Sequence, residues 1–593
     1  MTFHELSLFF DRIEKTPSRL TMTEILAELF TVTNAQEIDK VLYLLQGSVV
    51  PLYKKADFGM AEKLLTKAFI SGLQIDKKQF DQVYQKNGDL GTTIEELRGS
   101  ITVIGESDLS IEEVFEKLYK LTQVTGTGSQ DIKASIIIEL AQSLDALSCR
   151  FIARIPTNTL RLGFSDMTIL DAFSWMLTGG KTLRKQIEEV YQVNPDLGLL
   201  GKTIKEKGIE GLSKIGPVLF TPIIMMKAER LASVEKIMEK VERGIIEPKY
   251  DGFRLQIHHN KHDTKLYSRG LDDVTHMYPD IVAGIEKEVT AKEIILEGEA
   301  IGYDIQTGGF LPFQETVQRK RKYNISEKVV EIPLRLFAFD ILYLNGQNLI
   351  HKPHIERRLL LNSTIKVSGD VAVDTILISP LQKMENSHQI EIEFEDAISK
   401  GLEGIMIKRD DGPYQPGARG FNWIKYKRSY SSKIDDTIDC LVMGYDFGKG
   451  KRSGFGIGAI LVGVYDVKTD KFVTVAKIGT GLTDDEWRLM FKKSQVLKSS
   501  AKPALYDCDD LMNPDVWVKP EIVLEIRADE LTRSSIHTAG RLLKRTKSGG
   551  GFEVDVPGYA LRFPRLEAIR EDKRPTDATS LTEVEEMYVA QKK

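Results

Sequence analysis

The chain is poor in cysteine: three, Cys149, Cys440 and Cys508, stand among 593 residues. Their wide separation argues against a disulfide framework and a four-cysteine zinc site, and an intracellular, cytoplasmic setting is expected. Long apolar runs are also missing. A membrane-spanning helix needs about 20 consecutive apolar residues, and no stretch approaches that. The opening Met1-Thr-Phe-His-Glu5 has neither a basic nor an apolar leader region, so no secretion signal is expected. The nine histidines show no metal-ligand spacing, and His258-His259 reads as the flank of a strand. Charge of one sign is not in excess either. Lys and Arg number 81 against 86 Asp and Glu, a net charge of −5. That balance leaves a nucleic-acid binder open, because phosphate contacts depend on where cations cluster rather than on their sum.

What is present is a globular composition, 42% hydrophobic and 28% charged, in a chain too long for one core. Domains hold ~100–200 residues, so about three are expected. Residues 1–215 read as an all-α domain, with apolar residues at helical spacing in Leu6, Phe9, Phe10 and Ile13 and again in Ile136, Ile137, Leu140 and Leu144. The segment Gly216-Pro-Val-Leu-Phe-Thr-Pro222 breaks that pattern and reads as a linker. Residues 216–427 then read as an α+β domain, with strands at Leu255–His259, Glu293–Glu297 and Leu334–Asp340. From 428 to 593 short strands such as Cys440–Met443 and Ile522–Ile526 separated by Gly-rich turns suggest a small β-barrel. The tail from Leu581 reads as a polar helix prone to fraying.

Two motifs fail on inspection. Gly201-Lys202-Thr203 resembles the end of a phosphate-binding loop, but the position where its first glycine belongs is Asp196. Asp446-Phe447-Gly448 resembles a kinase metal motif, with no His-Arg-Asp loop before it. The informative segment is Glu247-Pro-Lys249-Tyr-Asp251-Gly252-Phe-Arg254. A Lys-x-Asp-Gly tetrapeptide alone is weak, but an ordered series follows it. Ser268-Arg269-Gly270, Glu297-Gly298-Glu299, Phe337-Ala-Phe339-Asp340, Glu403-Gly-Ile-Met-Ile-Lys408, Trp423-Ile-Lys425-Tyr-Lys427, Arg562-Phe-Pro-Arg565 and Arg570-Glu-Asp-Lys573 occur in turn.

The chemistry of these residue types is coherent. A lysine amine has a pKa of ~10.4 and attacks phosphorus only when neutral. Lys249 as nucleophile therefore needs either neighbours that disfavour its charge, with Arg254 a candidate, or a base. Arg254, Arg269, Lys425 and Lys427 suit charge on a transferring phosphate. Glu299 and Glu403 are hard oxygen ligands suited to Mg²⁺. Phe339 offers a flat stacking face, and Glu247 a hydrogen-bond acceptor for an amino group. Taken singly, each has a plainer reading. Phe339 suits a strand core equally well, Glu299 and Glu403 suit solvated strand ends, and Lys425 with Lys427 suits a surface pair.

In their order, these motifs resemble the covalent nucleotidyltransferases, and among them the archaeal and eukaryotic ATP-dependent DNA ligases. The resemblance extends over nearly the whole chain, including Arg161-Leu-Gly-Phe-Ser-Asp-Met-Thr-Ile-Leu-Asp171, which is similar to a signature of that family's helical DNA-binding domain. It implies a helical DNA-binding domain, an adenylation domain and an OB-fold. It also implies an enzyme that uses ATP and Mg²⁺ to seal nicks through a lysyl-AMP and a 5′-adenylated DNA, in replication, repair and recombination. Arg419 joins the AMP site by the same resemblance, and Arg570 and Lys573 belong to a closing motif that meets the leaving pyrophosphate. The expected partner is nicked duplex DNA bound without base readout by a monomer, with Arg319-Lys-Arg-Lys322 and Gly448-Lys-Gly-Lys-Arg452 as candidate phosphate contacts. Relatives that bind a sliding clamp carry a Gln with paired aromatics. The matching stretch, about Arg98 to Glu113, has no such box, so clamp binding stays open. Three cysteines cannot build the zinc finger of NAD-dependent bacterial ligases. Use of ADP or another nucleotide beside ATP stays open. RNA ligases and capping guanylyltransferases share the lysine chemistry without the large helical domain, and an inactive nick-binding protein would not need every catalytic position filled.

Overall fold

The computed structural model describes residues 1–101, 108–160, 162–231, 233–304, 309–311, 313–321, 325–366, 368–399, 402–427, 437–448, 456–479, 482–545 and 552–591. The chain divides into two compact units, Met1–Lys427 and Arg428–Lys593.

The first half of unit Met1–Lys427 is helical, from Phe3–Glu14 to Leu197–Lys207. Phe3, Leu6, Phe10 and Ile13 are fully buried on one face of the first helix, the spacing that an amphipathic helix requires. Capping boxes at Thr2/Glu5 and Ser110/Glu113 satisfy the orphan amides of two of these helices. Gly201-Lys202-Thr203 lies inside the helix Leu197–Lys207 rather than in a loop, so it is no phosphate cradle.

Strands begin after the linker. In chain order they are β1 (Lys227–Arg230), β2 (Gly244–Lys249), β3 (Phe253–Asn260), β4 (Thr264–Ser268), β5 (Glu293–Asp304), β6 (Gly309–Phe310), β7 (Leu334–Leu344), β8 (Gln347–Asn348), β9 (Ile376–Ile378), β10 (Gln382–Met384), β11 (Gly404–Arg409) and β12 (Arg419–Lys427). They form two sheets among the described residues. One runs β1-β12-β11-β2-β10; the other runs β4-β3-β5-β7-β8, with β6 on β5 and β9 on β7. The alternation of strand side chains gives each sheet one apolar face. Ile246, Ile405, Ile407 and Ile424 are buried on the first sheet, and Leu255, Ile257, Leu296, Leu336 and Ala338 on the second. The polar residues between them are left to the opposite faces.

Two local readings are corrected here. His258 and His259 sit within β3 and are buried, rather than flanking a strand. Burial pushes the His258 imidazole down to about 3, and its Nδ1 accepts a hydrogen bond from the Phe220 amide at 3.0 Å. Gln256 beside it grips both backbone groups of Ile223, at 2.7 and 3.1 Å. The linker is thereby fastened to β3. Arg319, expected on DNA, is 1% exposed and pairs with Asp280 at 2.8 Å. Of that basic run Lys320 and Arg321 are exposed, and Lys322 lies outside the described residues. Lys449 to Arg452, Arg161 and residues 102–107 of the clamp-box region lie outside them too.

In unit Arg428–Lys593 the strand Ile438–Asp446 pairs with Ala459–Asp466 along one edge. Along the other it pairs with Val516–Val518 and Val523–Arg527 in succession. Changing partners along one strand curls the sheet around its core. The helix Leu581–Ala590 does not fray as expected. It starts at a Ser580/Glu583 capping box and buries Val584 completely, and Gln591 just beyond it bonds the backbone of Leu531. Among the described residues no helix is long and apolar enough to cross a membrane.

Candidate active site

Residues two apart on a strand share a face, so Glu247 and Lys249 at the end of β2 point the same way. On β11, Met406 stands opposite Glu247 and Gly404 opposite Lys249; on β12, Lys425 stands opposite Met406 and Lys427 opposite Gly404. One sheet thus presents Glu247, Lys249, Met406, Lys408, Trp423, Lys425 and Lys427 together. The other contributes Arg254 from β3, Glu299 from β5 and Phe339 from β7. These residues, with Arg269 and Arg419, line one cavity of about 220 Å³. Glycines permit the close approach of backbones around it. A Cβ at Gly252 would clash with the carbonyl oxygen of Ala300. Gly404 has φ +143°, and a Cβ there would clash with the carbonyl oxygen of Tyr426.

Glu403 stands immediately before β11, and its amide donates to the Lys249 carbonyl at 3.1 Å. Its carboxylate pairs with Lys249 and, at 2.7 Å, with Lys427. Burial opposes its charge, but the two lysines outweigh burial and hold it well below the usual carboxylate range. Glu299 differs. Burial pushes its carboxyl up to about 7 against the pull of Lys249 and Arg254, and the charge of Glu403 adds to the rise. Burial also lowers Lys425 and Lys427, as do neighbouring cations.

Arg254, expected to disfavour charge on Lys249 and to meet phosphate charge, already has two partners for its guanidinium. Its Nη2 pairs with Glu297 at 2.7 Å and its Nη1 donates to the Met226 carbonyl at 2.6 Å. Burial works against its charge, and Glu297 more than offsets this. The guanidinium also stacks over Trp423 and Phe339, with centroid distances of 5.1 and 5.5 Å. Lys249 is therefore neighboured by a compensated cation and touched by a carboxylate, Glu403.

Several participants escape sequence reasoning. Met406, Lys408 and Trp423 line the cavity and were legible as strand alternation, since they share the face of Lys425 and Lys427. Glu297 was visible only as a neighbour of Glu299. Arg358, on the helix His354–Thr364, carried no signal; it bonds Glu247 at 3.0 Å. Phe339 is half-buried, with one side toward the cavity. Arg570 and Lys573 lie in the other unit, where Arg570 pairs with Asp572 at 2.7 Å and Lys573 with Asp439.

Comparison with known proteins then places the chain. Residues 225–427 match the family described as ATP dependent DNA ligase domain, residues 2–174 the DNA ligase N terminus, and residues 453–573 the ATP dependent DNA ligase C terminal region. A probable DNA ligase of Dictyoglomus turgidum is 45% identical over the whole of this chain and 98% of its own length. The DNA ligase of Saccharolobus solfataricus is 37% identical, again over all of this chain and 98% of its own. The solved structure titled Pmar-Lig_PreS3 shares the fold, with a TM-score of 0.55 at 17% identity, covering 95% of this chain and 99% of that one. The chain belongs to the ATP-dependent DNA ligase family and is an enzyme.

Proposed function

We propose that the protein seals nicks in duplex DNA by way of AMP carried on Lys249, then on the DNA 5′-phosphate. The carrying observation is Lys249 set at a cation-lined cavity with the carboxylate of Glu403 on its amine. Lys249 gives up its proton to solvent, with Glu403 orienting the amine; Nζ attacks the α-phosphorus of ATP; a P–N bond forms as the P–O bond to pyrophosphate breaks. Lys425, Lys427, Arg269 and Arg419 meet the phosphate charge. The Nε of Arg254, buried without a hydrogen-bond partner, is a donor that a nucleotide oxygen would satisfy. In the second step AMP passes to the 5′-phosphate, and the 3′-hydroxyl then displaces it. Three domains, 1–215, 216–427 and 428–593, would hold a nicked duplex without reading bases, as a monomer, in replication, repair and recombination. The test is a gel of nicked DNA against nicked RNA with ATP and Mg²⁺. Sealing of DNA alone supports the reading, and sealing of RNA alone overturns it.

The residues present fit Mg²⁺. Among the described residues no cluster of three acidic, His or Cys ligands occurs, but this ion is usually held by one or two carboxylates together with substrate phosphates. Glu299 and Glu403 would supply those carboxylates, and the ion would add positive charge beside the phosphates. A pH effect follows. At pH 6.5 Glu299, raised to about 7, is mostly protonated, and ligation needs the carboxylate. Binding of Mg-ATP should therefore release a proton, less so as pH rises through 7. Calorimetry in buffers of different ionisation enthalpy reads this, and Glu299→Gln should lack it. The same shift bears on folding. Glu299 holds its proton in the fold above its ordinary 4.5, so stability declines as pH rises from there to about 7.

The closing motif gives a second expected result. Cations that meet departing pyrophosphate matter only while it leaves, so changing both Arg570 and Lys573 to Ala should impair self-adenylation and spare sealing of pre-adenylated nicks. Equal loss in both steps, or in neither, removes the step-specific role.

A further inference from the structure

Glu247 is 2% exposed, and each of its carboxylate oxygens is held by a different cation. Oε1 accepts from Arg358 Nη1 at 3.0 Å, and Oε2 pairs with Lys408 Nζ at 2.7 Å. Both cations are themselves buried and fixed. Lys408 lies over the rings of Trp423 and Phe339, at 4.5 and 4.6 Å, and donates to the Phe339 carbonyl at 3.3 Å. Arg358 donates to the carbonyls of Phe339, at 3.4 Å, and Ser379. The Glu247 carboxylate is thus locked to the backbone that carries the Phe339 ring.

Stacking on such a ring does not choose among purines, because every base has a π-face. Choice comes from a polar group at the edge of the base. A carboxylate whose two oxygens each take a hydrogen bond from a fixed cation turns its remaining lone pairs in a set direction. It takes a hydrogen bond from an exocyclic amino group and repels the lone pairs of a 6-oxo group.

We infer that Arg358 and Lys408 are positioning residues that set base selection: by gripping one carboxylate oxygen of Glu247 each and fixing its orientation, they admit 6-aminopurine nucleotides and exclude 6-oxopurines. This rests on the adenylate-site reading above. Arg358 gives the cleaner test, because it does not itself line the cavity, whereas Lys408 does.

The experiment measures kcat and KM for covalent labelling of the full chain with three nucleotides. They are ATP, inosine triphosphate with its 6-oxo group, and purine riboside triphosphate with hydrogen at that position. Arg358→Met should raise KM for ATP about 10- to 100-fold, the worth of a hydrogen bond to a charged group. It should leave kcat and the KM for purine riboside triphosphate near wild type, so that the preference for ATP over inosine triphosphate falls. Lys408→Met should act in the same direction, and Arg358→Lys should recover part of the preference. Equal loss with all three nucleotides, or an undiminished preference, overturns the inference. Sealing of pre-adenylated nicks reports whether the variant has folded; if Arg358→Met does not seal them, the preference ratio of Arg358→Lys decides. A wild-type chain that labels with no nucleotide would instead remove the adenylate-site reading itself.

Discussion

Lys249→Ala should yield a protein that takes no radiolabelled AMP from ATP and still joins DNA already carrying a 5′-adenylate. The amine is needed only to carry AMP, and the final displacement is made by the DNA 3′-hydroxyl. The contrast between the two assays therefore separates loss of the nucleophile from loss of the fold. Lys249→Arg should fail equally in the first assay, since a guanidinium stays protonated and does not attack phosphorus. A rival nucleophile is at hand. Lys427 lines the same cavity, pairs with the same Glu403 at 2.7 Å, and is moved below the ordinary lysine range by burial and by Lys249. Mapping the labelled peptide of the wild-type chain distinguishes the two. AMP on Lys427, or labelling that persists in Lys249→Ala, would sink the assignment.

The largest effect on stability is expected from Glu297→Gln. Glu297 is fully buried, balances the buried guanidinium of Arg254, and accepts further hydrogen bonds from Gln256 at 3.0 Å and Tyr414 at 2.9 Å. Removing one charge of a buried pair leaves the other uncompensated, which costs about 3–5 kcal/mol. The exposed pair Arg12–Glu28 has side chains 46% and 52% accessible, so solvent screens it. Glu28→Gln should cost about 0–1 kcal/mol. Urea unfolding of both variants, with the midpoint shift read at unchanged slope, compares them. A loss for Glu297→Gln no larger than that for Glu28→Gln would show that Arg254 does not depend on its carboxylate.

The site was largely legible in the sequence. Glu247 and Lys249, or Lys425 and Lys427, share a face through strand alternation alone, and the motifs lie on most of the strands that meet at the cavity, although β1, which brings Lys227 and Ala228 to it, carries none. The fold was legible where periodicity is strong, as in Phe3, Leu6, Phe10 and Ile13. It was misread where polarity misleads. The polar helix Leu581–Ala590 is anchored by one buried side chain, Val584. The basic residue Arg319 is a core ion pair rather than a DNA contact.

By itself, then, the sequence determined the order of the domains, the strands that carry the motifs, and the family. It did so because helix and strand periods and motif order are written along the chain. Only the tertiary structure decided which charge answers which. Arg254 and Glu297 are 43 residues apart, Arg319 and Asp280 are 39 apart, and Arg358 and Glu247 are 111 apart. Coulombic attraction and the penalty of burial depend on distance and depth in the folded chain, and no local pattern records either. The same residue type is a core pair at Arg319 and a clamp on a buried carboxylate at Arg358 according to the carboxyl group that folding brings within about 3 Å of it.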